Sequence, residues 1–304
     1  FGTTDKTVAY DSQADVYKKM LSELDFAITE LTKRANAGEV STLTGPDIST
    51  YNGNYKQWVK FANSLRLRLA TRLVKISPAI AKVEAEKSIS HPFGVMTANA
   101  DIAKVIIPNY IDPIFTISNA WGDIRMSADM ESIMGGYADP RLAKYFNLST
   151  DFPSEYRGVR TAINMIAKSD RIGMSSLGEI VTKNEKVLMT TAEVYFLRAE
   201  GALRGWNMGG TAQSLYEMGI TASFAQHGIS GAAAYYADNV KTVKNFVDVK
   251  DAANNGTAVN NVTIAWDNAA NNEVKLQKII TQKWIANFPE GQEAWSEFRR
   301  TGYP

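Results

Sequence analysis

Residues 282–304 read QKWIANFPEGQEAWSEFRRTGYP, and the reading of this stretch decides the fold. Trp284, Ile285 and Phe288 form one apolar stripe at helical spacing. Pro289, Glu290 and Gly291 interrupt it, since proline cannot continue a helix and glycine eases a turn. Gln292 to Arg300 then resumes the period, with Trp295 and Phe298 three apart. The spacing predicts two helices meeting at a tight corner, their aromatics packed inward as a closing pair. On this reading Trp284, Trp295, Phe298, Arg299 and Arg300 are structural.

Working back along the chain, the same period recurs. Tyr17, Met20, Leu21, Leu24, Ile28 and Leu31 mark a helix over about 14–35, with Asp11, Ser12 and Asp15 as its capping signal. Trp58, Phe61, Ala62, Leu65, Leu69, Leu73 and Val74 give a second, continuous apolar face. A short helix is expected over about 78–88, started by Pro78. Further helices are expected near 127–134, after Asp139-Pro140-Arg141-Leu142, from Leu188 to about Leu203, over about 212–226, and from Gly231. The pair around Trp206, with Tyr216 and the small Gly219 where helices must interlock, resembles a degenerate tetratricopeptide repeat. Between 91 and 187 the period is lost. AKVIIP at 103–108 reads as a short strand, and 109–122 as an aromatic-rich loop.

Composition removes whole classes of function. There are 33 Lys+Arg against 32 Asp+Glu and no cysteine, which argues against a nucleic-acid partner and excludes disulfides and thiol chemistry. Arg66, Arg68 and Arg72 read as a solvated or salt-bridged helix face. His91 and His227 stand apart at helix ends, so no metal site and no cofactor are expected. Glu193 with Glu200, and Glu290, Glu293 and Glu297, lie beside Lys or Arg, where i,i+4 pairing accounts for them. Glycoside hydrolysis needs two carboxylates facing one cleft, and no such pair, nucleophile elbow or phosphate loop is legible. No catalytic residue is assigned. The chain opens at Phe1 without Met or signal peptide, so a processed or truncated product is expected, without its export signal or lipid-bearing cysteine.

Five blocks, in order, resemble the SusD/RagB family, the nutrient-binding surface lipoproteins of Bacteroidetes. They are YDSQADVYKKMLSELDFAI at 10–28, NYKQWVKFANSLRLRLATRL at 54–73, ADPRLAKYF at 138–146, LMTTAEVYFLRAEGALRGW at 188–206 and the tail. The resemblance implies a mostly all-α, SusD-like fold with tetratricopeptide-like helix pairs as scaffold and an irregular loop-rich half bearing a few short strands. It implies one such domain over 1–304, with the scaffold at about 10–90, 188–248 and 273–304 and the loop-rich ligand-binding portion at about 91–187. It further implies a non-catalytic protein on the cell-surface side of the outer membrane, where a lipid anchor, absent from this chain, would be its membrane contact. Such proteins bind glycans, or peptides in some branches, and hand them to a SusC-like TonB-dependent transporter. A helical-repeat scaffold for a protein partner is the remaining alternative.

A glycan site needs aromatic faces for stacking and planar polar side chains to meet hydroxyls, all on pre-formed loops. Tyr110, Asp112, Phe115, Asn119, Trp121, Asp123 and Arg125 meet that description outside any helical stripe. Tyr156 and Arg157 are a second choice, and Tyr51 and Tyr55 a possible rim.

Overall fold

Ser12 starts the first helix: its hydroxyl accepts from the Asp15 amide at 3.1 Å and satisfies one of the donors every helix start leaves open. This is α1 (Gln13–Asn36). Asn54 caps α2 (Tyr55–Arg72) in the same way, and Pro78 opens α3 (Pro78–Ser90). The computed structural model describes residues 9–165, 167–181 and 184–304. Residues 1–8 lie outside the described residues, as do Ile166, Thr182 and Lys183 of the expected loop-rich portion.

Backbone contacts group the chain into two compact units, Phe1–Asp47 with Tyr51–Met96, and Ile48–Thr50 with Thr97–Pro304. In the first unit α2 packs on both α1 and α3. Ile28, Val59 and Ala62 form its core, with Leu24, Leu31 and Phe93 against them. The buried side of α2 also carries Asn63, Ser64 and Arg66. Arg66 was expected on a solvated or salt-bridged face. It is ion-paired but buried, between Asp25 of α1 and Glu84 of α3 at 3.5 Å. A guanidinium leaves water only where carboxylates replace it. Tyr51 is likewise no rim residue: it is buried edge-on against Trp58 at a 5.4 Å ring separation, while Tyr55 is half-buried.

The second unit holds β1 (Ala103–Ile106), the short α4 (Pro113–Phe115), α5 (Ala128–Gly136) and α6 (Leu142–Tyr145). It continues with β2 (Glu185–Met189), α7 (Thr191–Leu203), α8 (Ala212–Gln226), α9 (Ala232–Tyr236), α10 (Asn272–Asn287) and α11 (Gly291–Thr301). β1 and β2 pair antiparallel, Ile106 opposite Glu185. The helix expected from Leu188 starts later. Leu188 and Met189 finish β2, and the Thr190 hydroxyl accepts from the Glu193 amide at 3.1 Å to begin α7. α7 and α8 form the expected interlocked pair, and α10 packs on both. Gly219 of α8 lies so close to the Phe196 ring that an added Cβ would sit 2.7 Å from it. Arg141 is fully buried on Asp139, with bonds of 2.9 and 2.6 Å, and donates also to Ser223 and Gln282.

α11 reverses the expectation for its aromatics. Trp295 is 56% exposed and Phe298 45%, stacked on each other at 5.9 Å. The inward side belongs to Glu293 and Glu297, each 4% exposed. They meet the buried Lys283 of α10 at 3.1 and 3.3 Å, and Glu193 of α7 stands 3.7 Å from the same ammonium. Arg300 joins Glu297 at 2.7 Å to Glu200 of α7 at 2.6 Å. These carboxylates were expected in local i,i+4 pairs. Beside the local Glu200–Arg204 and Glu297–Arg300 pairs, Glu193, Glu200, Glu293 and Glu297 all bond between helices. Water is excluded there, and only opposite charges from other elements can compensate.

Candidate functional site

The loop between β1 and α5 is built by local hydrogen bonds before any side chain is considered. Asn109 takes a positive φ of 61° and turns the chain at Tyr110. The Asp112 carboxylate then accepts from the Ile114 amide at 2.7 Å, which caps α4. A π-helical turn over Thr116–Ala120 follows, closed by the Trp121 amide on the Thr116 carbonyl at 3.1 Å. The Asp123 amide returns to the Ile117 carbonyl at 3.0 Å. Lys168 donates to the Trp121 carbonyl and pairs with the Asp123 carboxylate. Arg125 donates to the Ile172 carbonyl at 2.8 Å, and burial pulls its pKa below the usual guanidinium value.

The seven candidates on this loop therefore take different parts. Trp121 is 60% exposed and Tyr110 42%, with Asn119 also at the surface. Phe115 is half-buried and Asp112 buried, its carboxylate 3.8 Å from Lys186. Asp123 and Arg125 are engaged in holding the loop. Tyr156 and Arg157 line a separate hollow of about 240 Å³ with Glu131, Glu155 and Lys244. There Arg157 bonds Glu131 at 3.2 Å and pairs with Glu155, and burial raises the Tyr156 phenol.

Asp112 and Ile114 also border a cavity of about 370 Å³. Lys104 of β1, Lys144 of α6, residues 179–181, β2, the start of α7, the end of α8 and the α10–α11 corner supply the rest of its wall. Its three lysines each face a carboxylate: Lys104 on Glu185 at 3.1 Å, Lys144 on Glu179 at 2.6 Å, and Lys186 on Asp112. His227 and Phe288 both pack against the Tyr145 ring, each 5.2 Å from it. The Tyr145 hydroxyl, which burial above all pushes up to about 12, donates to the Ile285 carbonyl at 3.0 Å. Sequence reading missed this cavity, because it joins residues more than a hundred positions apart and only Asp112 among them was a candidate binding residue. No group of three or more His, Asp or Glu side chains able to hold a metal occurs among the described residues.

Residues 1–304 match the family model for the SusD and RagB outer membrane lipoproteins. The chain belongs to the SusD/RagB family. Its similarity extends to a chitin-binding SusD homologue from Flavobacterium johnsoniae, 63% identical with a TM-score of 0.97, covering all of this chain and 63% of that one. A SusD-like protein from Bacteroides thetaiotaomicron is 36% identical, TM-score 0.92, over all of this chain and 64% of that one. A SusD homologue from Bacteroides ovatus is 40% identical, TM-score 0.86, over 97% and 62%. The chain thus spans less than two thirds of the length of these solved structures. No curated protein sequence matches it. The SusD-like fold is mostly helical with a two-stranded sheet, as the sequence leads one to expect. Membership places the chain among outer-membrane lipoproteins. Among the described residues no helix is long and apolar enough to cross a membrane.

Proposed function

We propose that this SusD-like chain is the ligand-binding part of a cell-surface protein that captures oligo- or polysaccharide without cleaving it. It passes the glycan to a SusC-like TonB-dependent transporter in the outer membrane. The observation that carries the reading is Trp121, a large aromatic face 60% exposed on a loop whose backbone is held by bonds on both sides. An indole in that position is ready to lie against the C–H face of a sugar ring, and a rigid loop loses little freedom on binding. Tyr110 adds a second exposed ring and Asn119 an amide for hydroxyls. The same surface is the proposed ligand site, with Asp112, Phe115, Asp123 and Arg125 shaping it from beneath. Tyr156 and Arg157 line their own hollow and would serve a longer chain at most.

The family supports the glycan class, and the chitin-binding relative points to polymers of N-acetylated sugar. Affinity electrophoresis against a panel of polysaccharides, chitin derivatives included, with peptides titrated in parallel, tests this reading. Retardation by at least one polysaccharide is expected. Binding of peptides alone would replace the glycan by the peptide reading.

A further inference from the structure

α11 turns two large rings outward, and its inner side explains why they stay there. Trp295 is 56% exposed and Phe298 45%, stacked at an interplanar angle of 21°. Glu293 and Glu297 hold the opposite side of the helix on the buried Lys283. Rolling α11 to bury the rings would pull both carboxylates off that ammonium, which a buried charge does not tolerate. The aromatic face is therefore fixed toward solvent on a rigid helix.

The rest of that face carries matching chemistry. The exposed residues of α11 are Gly291, Gln292, Trp295, Phe298 and Arg299. At 100° per residue, Gln292, Trp295, Phe298 and Arg299 share one side, and they span about 10 Å along the axis. The Gln292 amide and the Arg299 guanidinium make no hydrogen bond or ion pair among the described residues. An open amide both donates and accepts, and an open guanidinium offers up to about five donors. Two stacked rings flanked by such groups are what a sugar needs: apolar faces for its C–H side and planar polar groups for its hydroxyls.

A protein partner fits the face less well. A stable protein interface engages roughly 20–30 residues a side. Here the apolar part is two rings, and neither α10 nor α11 exposes another large hydrophobic residue. The face is narrow, rigid and half polar.

We propose that the outward face of α11 is a second saccharide-binding surface, separate from the Trp121 loop. Sugar rings lie against Trp295 and Phe298, and Gln292 and Arg299 meet their hydroxyls at the two ends. The ligand class rests on the saccharide reading above; the place rests on α11.

The test is affinity electrophoresis in gels containing glycol chitin, starch, xylan or β-glucan, with the wild type, Trp295→Ala, Phe298→Ala and Ile76→Ala. In the polysaccharide that retards the wild type, Trp295→Ala should weaken binding about fivefold or more, and Phe298→Ala about threefold or more. Ile76→Ala trims an exposed apolar side chain of another segment and should leave retardation unchanged. If Trp295→Ala fails to fold, Phe298→Ala and Arg299→Ala decide in its place. Retardation equal to wild type in the α11 variants overturns this surface alone. No retardation of the wild type in any gel overturns the saccharide reading and this surface with it. Sedimentation velocity supplies the remaining check: a wild-type dimer that Trp295→Ala dissociates would make the face a contact between copies and overturn the proposal.

Discussion

His227 packs against the Tyr145 ring, and its pKa of about 4 lies well below the ordinary 6.5. The folded state therefore refuses a proton that the unfolded chain accepts. Its contribution to stability is complete above about pH 6.5, falls as pH drops through the interval, and levels off below about pH 4. Each pH unit inside the window is worth about 1.4 kcal/mol for one proton. Denaturant titrations between pH 7 and 4 should show that slope, and His227→Gln should flatten it. An unchanged slope in the variant would place the proton elsewhere. At this scale the sequence speaks through residue type and local spacing. Trp121 stood outside every helical stripe, and the structure leaves it exposed. The cavity walled by β2 and the α10–α11 corner gave no such signal, because a residue at a helix end reads the same whether solvent or a cavity lies beyond it.

Among the elements, α11 separates pattern from environment. Trp295 and Phe298 have the spacing of a core stripe, yet they face outward, and the inward positions are Glu293 and Glu297. Periodicity tells which residues share a face and is silent on which face turns inward. The lysine that settles it, Lys283, lies on α10 and is itself buried. Replacing it with Met removes the buried ammonium that Glu193, Glu293 and Glu297 share and should cost about 3–5 kcal/mol in equilibrium unfolding. Trp295→Ala should cost less than about 1 kcal/mol, as exposed positions do. The reverse order would mean that α11 is turned the other way. The α7–α8 pair was legible from its small residues, since Gly219 lies where the Phe196 ring comes nearest. Gly219→Ala forces that ring aside and should lower stability by about 1–3 kcal/mol, read as a fall in melting temperature.

For the molecule as a whole, the helical frame was legible because amphipathic period, caps and family wording agree along nearly the whole chain. The proposed binding part was legible only as a region. Seven loop residues were candidates, and folding divides them: Trp121, Tyr110 and Asn119 look outward, Phe115 is half-buried, and Asp112, Asp123 and Arg125 hold the loop in place. That division belongs to hydrogen bonds between segments, such as Lys168 reaching back to Trp121, and no local pattern encodes it. Trp121 is the proposed contact surface for glycan, and the decisive measurement is calorimetric titration of the polysaccharide that retards the wild type into Trp121→Ala. A loss of about 1 kcal/mol or more in binding, at least fivefold in affinity, is expected, with the melting temperature unchanged. Wild-type affinity in the variant would contradict it, and a variant that no longer folds would show Trp121 to be core.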